Sequence, residues 1–356
     1  METPGTQSSL VQGYDLEAII NSPQDSSSGP ELAWAAKSSA SNGRGICYDE
    51  KRKPCCFQPS WILTPFQPNG EDNPGDLAPF DRENARPMNS FTDQTYLQEQ
   101  QYPDSRNLGV RIALHQEFST NQIDWFQWVF DHFQLPNRIK LLELGCGPGH
   151  LWARNASRVP SGWQIYLSDY SPGMVGEAQA RLSGLSLEPA WSCLDAQRIP
   201  YPEDRFQAVI ANHMLYHVPD RQQALAEIRR VLAPGGRLIA ATVGRDHLVE
   251  LKKLAQEFQG SSAPPKQEVN PFTLESGPGE LEDYFRDIRV IRQKNALHIT
   301  RVEPLVDYFL SSFRLGMEPG DRNALGAFLK EKMTAAGGGL RIRKDNGLLT
   351  ARVPDR

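Results

Sequence analysis

The chain has 356 residues and a formal net charge of −5, with 38 lysine and arginine residues against 43 aspartate and glutamate residues. This charge disfavours a dedicated nucleic-acid-binding protein, which would neutralise many phosphates with cations. No apolar run approaches the roughly 18 residues that a membrane-spanning helix needs, and the first five residues have no signal-peptide character. The five cysteines show no Cys-x-x-Cys spacing and give no support for disulfides or structural zinc. We therefore expect a cytoplasmic protein.

Residues 1–80 contain 35 Gly, Pro, Ser, Asn and Gln residues. Such a composition buries too little apolar surface to offset the entropy of ordering. We therefore expect residues 1–90 to be a mostly disordered N-terminal extension. Two apolar stretches interrupt it, at residues 14–20 and 55–63. They are either residual hydrophobicity or partner-docking segments that fold on binding.

Apolar residues recur at three- and four-residue spacing from about Arg106 to Phe133. This spacing predicts two helices, which we expect to form a helical lid over residues 106–135. Thr120 or Asn121 is the expected N-cap of the second helix, and Pro136 closes it.

Strands and helices alternate after Pro136. The apolar runs predict strands at residues 139–144, 164–168, 187–193, 206–211 and 237–243. Helices are predicted between them, which indicates an α/β fold with a parallel sheet covered on both faces. Further on we expect strands at 287–292 and 296–300, and helices at 302–313 and 321–333. The dipeptide Asn346-Gly347 predicts a tight hairpin turn between two last strands.

A glycine-rich turn follows the first predicted strand, with the sequence Glu143-Leu144-Gly145-Cys146-Gly147-Pro148-Gly149. Such glycines let a ligand lie against the backbone at the carboxyl ends of the strands. Asp169 ends the next strand, where a carboxylate can accept ribose hydroxyls. A dinucleotide fingerprint would need a glycine at His150, and Glu143 would repel a pyrophosphate. The pattern favours an adenosyl ligand that carries a positive ammonium and sulfonium.

The glycine-rich turn resembles motif I of the class I S-adenosylmethionine-dependent methyltransferases. Four further stretches are similar to later motifs of that family, at residues 167–174, 193–200, 206–217 and 232–238. One departure is Ala211-Asn212, where many relatives carry an acid. The resemblance implies a Rossmann-like three-layer sandwich whose seven-stranded, mostly parallel sheet has an antiparallel last strand. The methyltransferase domain would span residues 91–356, with a cofactor-binding core at 138–243 and substrate-capping insertions at 259–335.

The resemblance also implies which residues surround the cofactor S-adenosyl-L-methionine. These are Glu143, Gly145, Cys146, Gly147, Gly149, Asp169, Tyr170, Met174, Asp195, Ala196 and Asn212. In this set Asp195 would accept from the adenine amino group. Arg111, on the first lid helix, is a candidate bidentate donor to the carboxylate of the methionine moiety.

Candidate catalytic residues follow the fourth strand. His213 and His217 would face an acceptor at that position, where a histidine can act as general base. Each is alternatively a hydrogen-bonded structural histidine. Tyr216 and His115 are candidate substrate-binding residues, and no metal is expected because Met214 occupies the glutamate position of a His-Glu-x-x-His motif.

The sequence therefore predicts an enzyme that moves a methyl group from S-adenosylmethionine to a small-molecule acceptor by in-line displacement. O-methylation is favoured over C- or N-methylation. The alternative is a non-catalytic S-adenosylmethionine-binding regulatory or scaffold protein, which the long extension suggests. A nicotinamide-dependent oxidoreductase is disfavoured by Glu143 and His150. Nucleic-acid methylation is disfavoured by the net charge and by His213-Met214-Leu215 after Asn212, where a Pro-Pro-aromatic sequence would be expected.

Overall fold

A computed structural model describes residues 91–97, 101–102, 104–260, 270–312 and 321–355. The predicted extension at residues 1–90, with its two apolar stretches, lies outside these residues. No helix in the described ranges is both long and apolar enough to cross a bilayer.

Seven strands and ten α-helices make up the described part of the chain. The strands are β1 (Arg138–Leu144), β2 (Gly162–Asp169), β3 (Ala190–Cys193), β4 (Phe206–Asn212), β5 (Leu232–Val243), β6 (Arg286–Ile299) and β7 (Leu340–Arg352). The helices are α1 (Gln94–Tyr96), α2 (Arg106–Phe118), α3 (Trp125–Asp131), α4 (His150–Asn155), α5 (Pro172–Leu182), α6 (Arg221–Val231), α7 (Val249–Phe258), α8 (Gly277–Leu281), α9 (Val302–Ser312) and α10 (Asp321–Ala335).

The strands form one sheet in the order β3-β2-β1-β4-β5-β7-β6. The first five pair in parallel, whereas β7 runs antiparallel to both of its neighbours, β5 and β6. This topology confirms the predicted α/β class and the antiparallel last strand. It places the carboxyl ends of β1 to β5 along one edge, where ligands bind in open α/β sheets.

Apolar side chains alternate between the two faces of the sheet and fill two cores. On β4, Val209 packs with α6 residues such as Leu225, and Ala208 and Ile210 point to the opposite face. There they join α3, α4 and α5, represented by Trp152. Because strand side chains alternate with a period of two, a strand covered on both faces must be apolar throughout. This explains the continuous apolar runs in the sequence and confirms the three-layer arrangement.

The hairpin predicted at Asn346-Gly347 is wrong. Both residues lie inside the single strand β7, where Gly347 pairs with Thr242 of β5 and with Arg292 of β6. A Cβ atom on Gly347 would overlap the carbonyl oxygen of Ile291. The glycine therefore permits the backbones of β6 and β7 to approach closely. The two strands predicted at 287–292 and 296–300 are likewise one strand, β6, which pairs with β7.

The predicted N-cap of the second lid helix is also wrong. The cap is Asp124, whose carboxylate accepts hydrogen bonds from the backbone N–H groups of Phe126 and Gln127 at 2.9 and 3.2 Å. Thr120 and Asn121 instead bond to β6, through the N–H of Ala296 and the carbonyl of Lys294. The polar residues that suggested a cap thus fasten the loop between α2 and α3 to the sheet.

Helices α2, α7, α9 and α10 pack together in a third apolar core. It includes Leu114 and Phe118 of α2, Leu251 of α7, Phe309 of α9 and Leu329 of α10. Ile342 of β7 belongs to the same core, which therefore lies against the antiparallel end of the sheet. Helix α2 is held here by residues more than 100 positions later in the chain, and this fixes its polar side chains over the strand ends.

Candidate functional site

A cavity of about 1100 Å³ lies over the carboxyl ends of the parallel strands. One part is lined by the glycine-rich turn after β1 and by the residues that end β2 and β3, including Asp169 and Asp195. The other part is lined by residues after β4 and β5, by α2 and by Lys344 of β7. We call the part above β1 to β3 the cofactor side and the part above β4, β5 and β7 the acceptor side, after the ligands predicted from the sequence.

The turn after β1 brings bare backbone to the cofactor side. Gly145 has a φ of +68°, and a Cβ there would lie 2.7 Å from the Cβ of Met214. Both facts require glycine, because a left-handed φ strains other residues and this space is already filled. The N–H of Cys146 donates to the carbonyl of Ser168 at 2.8 Å, which fixes the turn beside β2.

Asp169 ends β2 against the same turn. Its carboxylate accepts from the N–H of Gly147 at 2.8 Å and from the N–H of Ser171 at 2.9 Å. Burial raises the pKa of this carboxyl, and the two backbone N–H groups oppose that rise. Asp169 lines the cavity beside Tyr170 and Met174, so the predicted ribose-binding residues come together.

Asp195 lies one strand further, after β3, and also lines the cavity next to Ala196. Its carboxylate accepts two hydrogen bonds from the side-chain amide of Gln197, at 2.9 and 3.0 Å. On the other flank of the turn, Asn212 ends β4, and its Oδ1 atom is buried without a hydrogen bond from any described residue. Two carboxylates, an unsatisfied amide oxygen and a glycine turn fit a neutral adenosine flanked by positive groups, and they do not fit a pyrophosphate.

Two predicted cofactor residues, Glu143 and Gly149, do not line the cavity. Gly149 has a φ of +78° and faces Ala178 of α5. The side chain of Glu143 is buried and accepts a hydrogen bond from the indole Nε1 of Trp152 at 2.5 Å. Burial raises its pKa to about 8, against a lowering by the Trp152 bond. Its contact with the ammonium of a cofactor stays a prediction, and its burial favours the protonated carboxyl.

The buried Glu143 predicts a pH dependence of stability. The folded chain holds this proton between pH 4.5 and about 8 and the unfolded chain releases it, so this group makes stability fall as pH rises through that window. Glu143→Gln keeps an acceptor for Trp152 and cannot titrate. We expect urea unfolding at pH 5, 6, 7 and 8 to show a less negative slope for the variant, by at most about 1.4 kcal/mol per pH unit. An equal dependence of the unfolding free energy on pH in Glu143→Gln and the wild type would contradict this expectation.

His213 directly follows β4 and projects into the acceptor side. Its φ is +57°, and its N–H donates to the carbonyl of Ala241 at 3.0 Å. The imidazole lies beside Trp125, with the ring centres 5.2 Å apart, and forms no hydrogen bond with the part of the chain that the structure describes. Burial, Lys344 and His217 lower its pKa to about 4, so the ring is neutral at pH 7 and able to accept a proton.

His217 has both ring nitrogens engaged. Its Nδ1 is 2.9 Å from the carbonyl oxygen of Phe91, and its Nε2 is 3.4 Å from the hydroxyl of Tyr102. The carbonyl can only accept, so Nδ1 carries the proton and the Tyr102 hydroxyl donates to Nε2. Burial lowers the pKa of His217 to about 4. The ring fastens the segment before α2 to the cavity wall, and its role as a base stays a prediction that competes with this bond.

The remaining predicted residues lie on the acceptor side. Arg111 donates to the Tyr102 hydroxyl at 3.4 Å and to the carbonyl of Ser311, and its pairing with a cofactor carboxylate stays a prediction. Tyr216 packs edge-on against Phe91, and burial raises its pKa. His115 of α2 lines the cavity, and burial, Lys344 and His213 lower its pKa to about 3.

Several cavity-lining residues were not predicted, and two of them, His247 and Lys344, carry basic side chains. His247 lies in the turn after β5, where no motif marks it. A signal existed for Lys344, because β7 alternates exposed Arg341 and Arg343 with buried Ile342 and Lys344. A lysine in the inward register of an alternating strand indicates a buried charge.

Comparison with known proteins agrees with this geometry. Residues 142–240 match a family model described as a methyltransferase domain. The chain is 32% identical over 115 residues to the ubiquinone/menaquinone biosynthesis C-methyltransferase UbiE of Desulfotalea psychrophila, which covers 32% of this chain and 46% of that protein. It is 29% identical over 177 residues to a malonyl-[acyl-carrier protein] O-methyltransferase of Halorhodospira halophila, covering 46% of this chain and 59% of that protein.

The matched segments thus span about half the length of these curated relatives. Among solved structures, the [4+2]-cyclase SpnF aligns at a TM-score of 0.45 and 20% identity, covering 70% of this chain and 93% of that one. The family model coincides with the strands and turns that build the cofactor side. The acceptor side draws on His115, His247 and Lys344, which lie outside residues 142–240.

Proposed function

We propose that this chain, which contains a class I S-adenosylmethionine-dependent methyltransferase domain, transfers a methyl group from S-adenosylmethionine to a small-molecule acceptor. One observation carries the proposal: the glycine turn, Asp169 and Asp195 line one side of a cavity that continues over β4 and β5. A second ligand therefore has space beside the first. We place O-methylation ahead of C- or N-methylation, because a base is available on the acceptor side.

The cofactor side supplies binding and orientation. The Asp169 carboxylate is positioned for ribose hydroxyls, and the backbone around Gly145 permits close approach of the adenosyl group. Asp195 is positioned one strand further along the same edge of the sheet, as an acceptor for the adenine amino group. S-Adenosylmethionine, when bound, supplies an activated methyl group on a sulfonium. Well-oriented reactants contribute roughly 7–11 kcal/mol to lowering a barrier.

The acceptor side supplies proton transfer. His213 is neutral, faces the cavity and has no hydrogen bond that it must break among the described residues. It is the better base candidate of the two histidines, since the Nε2 of His217 already accepts from Tyr102. A positioned base contributes roughly 10²–10⁴-fold to the rate when the acceptor atom carries a proton. The aromatic residues Trp125 and Tyr216 line the same space.

The proposal is tested by two measurements on the full chain. We expect calorimetry to show binding of both S-adenosylmethionine and its demethylated product. We then expect label from methyl-labelled S-adenosylmethionine to appear in an acceptor from a panel of phenols, carboxylic acids and amines. Failure of the intact protein to bind either compound would overturn the proposal. Binding without any labelled product would instead favour the non-catalytic S-adenosylmethionine-binding protein.

A further inference from the structure

Four basic side chains from separate elements meet on the acceptor side of the cavity. His115 comes from α2, His213 follows β4, His247 follows β5 and Lys344 lies on β7. The strand register explains the position of Lys344. The last pair between β5 and β7 is Val243 with Asn346, so residues 340–345 extend past the carboxyl end of β5 and pair with β6 alone. The lysine thus reaches the edge where the parallel strands end.

Lys344 is 9% exposed and lines the cavity. Its ammonium forms no ion pair and no hydrogen bond with the residues that the structure describes. The acid that influences it most is Asp124, whose carboxylate is already bonded to two N–H groups of α3. A buried ammonium without a partner costs several kcal/mol, and proteins retain such a group where a ligand supplies the opposite charge.

One imidazole beside Lys344, that of His247, is arranged to donate. The Nδ1 of His247 accepts from the N–H of Asp345 at 3.1 Å, so its ring proton is on Nε2. The rings of His115 and His247 lie 6.1 Å apart and nearly parallel. Lys344 lowers the pKa of His115, His213 and His247. An anion bound beside Lys344, His115 and His247 would oppose that effect, because it favours the protonated forms.

We propose that His115, His247 and Lys344 bind an oxyanion of the acceptor, a carboxylate or a phosphate, beside the base candidate His213. The inference rests on the proposed function and names the class of its acceptor. Acids on the same cavity wall do not compete for Lys344: Asp169 and Asp195 accept from Gly147 and Gln197 on the cofactor side, and Glu117 is paired with Arg301. Arg111 adds a further positive charge beside His115.

The test compares Lys344→Met with Lys330→Met, which removes an exposed lysine on α10. The full chain is saturated with the demethylated cofactor and titrated with 4-hydroxybenzoate, 4-hydroxyphenyl phosphate and the neutral 4-hydroxybenzamide. We expect the wild type and Lys330→Met to bind at least one anionic probe about tenfold or more tighter than the amide. Lys344→Met should lose that preference. The benzoate and phosphate arms distinguish the two oxyanions.

Equal binding of anionic and neutral probes by the wild type, or no binding of either anion, overturns the inference. Tighter binding of an anionic probe than of the amide by Lys344→Met also overturns the inference. The affinity for the demethylated cofactor is measured in the same samples and should stay within about twofold in Lys344→Met, whereas a large loss would mean that the cluster binds the cofactor's own carboxylate. Absence of cofactor binding by the wild type would instead refute the proposed function.

Thermal unfolding provides a readout that needs no ligand. Replacing an unpaired buried ammonium by an apolar side chain of similar length is expected to raise Tm. A lysine with a purely structural role would give a lower Tm in Lys344→Met, and that result contradicts the inference. Lys330→Met should leave Tm nearly unchanged, since surface substitutions have small effects.

Discussion

Asp169→Ala is expected to lower the affinity for S-adenosylmethionine by roughly 10²–10⁴-fold. A carboxylate that accepts two hydroxyls forms two charge-assisted hydrogen bonds, and each contributes roughly 1.5–3 kcal/mol. The same carboxylate holds the turn after β1 through the N–H of Gly147. Its removal therefore eliminates the contacts with the ribose and also the hydrogen bond that orders the turn. Calorimetric titration with S-adenosylmethionine measures the combined loss.

Two further variants separate these contributions. Asp169→Asn keeps one acceptor oxygen for Gly147 and loses the charge, so we expect an intermediate affinity. Glu188→Ala removes an exposed acid between α5 and β3 and should bind like the wild type. A wild-type affinity in a folded Asp169→Ala variant would show that the ribose is held elsewhere.

Gly347→Ala is expected to destabilise the fold by about 3 kcal/mol or more, or to prevent folding. Its Cβ would overlap the carbonyl oxygen of Ile291 and lie 3.1 Å from the Cα of Arg292. Both atoms belong to the backbone of β6, which is paired along its length with β7 and cannot move aside alone. Urea unfolding, or the yield of soluble protein if the variant does not fold, measures the effect.

The matched control is Gly176→Ala on α5. A Cβ at Gly176 meets no atom within 4 Å, so alanine should stabilise the helix by about 0.5–1 kcal/mol. A lower unfolding free energy for Gly347→Ala and a higher one for Gly176→Ala would support the close approach of β6 and β7. An unfolding free energy of Gly347→Ala equal to that of the wild type would contradict it.

The contrast between β1 and β7 explains how far the sequence predicts the fold. Strand β1 contains Ile139, Leu141, Leu142 and Leu144 and is followed by a glycine turn, so its local pattern indicates both its burial and its end. Strand β7 contains Asn346 and Gly347, which resemble a turn when read locally. Their true environment is set by Thr242 and Arg292, which lie more than 50 residues earlier in the chain. No local pattern carries that information.

The candidate site divides in the same way. The cofactor side is built from short contiguous motifs, such as residues 143–149, and most of its residues were predicted. Glu143 and Gly149 are exceptions, because only the three-dimensional structure shows the carboxyl of Glu143 bonded to Trp152 and Gly149 packed against Ala178. The acceptor side combines His115, His247 and Lys344, which are separated by about 100 residues each. Their proximity depends on how α2 packs and on how far β7 extends, and no local sequence motif predicts either feature.

The contacts of His217 with Phe91 and Tyr102 set the smallest chain that can enclose the cavity. Tyr170, on the cofactor side, is likewise bonded to Gln94 at 3.1 Å. Phe91, Gln94 and Tyr102 therefore form part of the wall, although they precede residues 142–240, which match the methyltransferase domain model, by about 40 residues or more. A shortened protein that starts at Phe91 keeps this wall. One that starts at α2 would lack these residues, and its cavity would be open to water on that side.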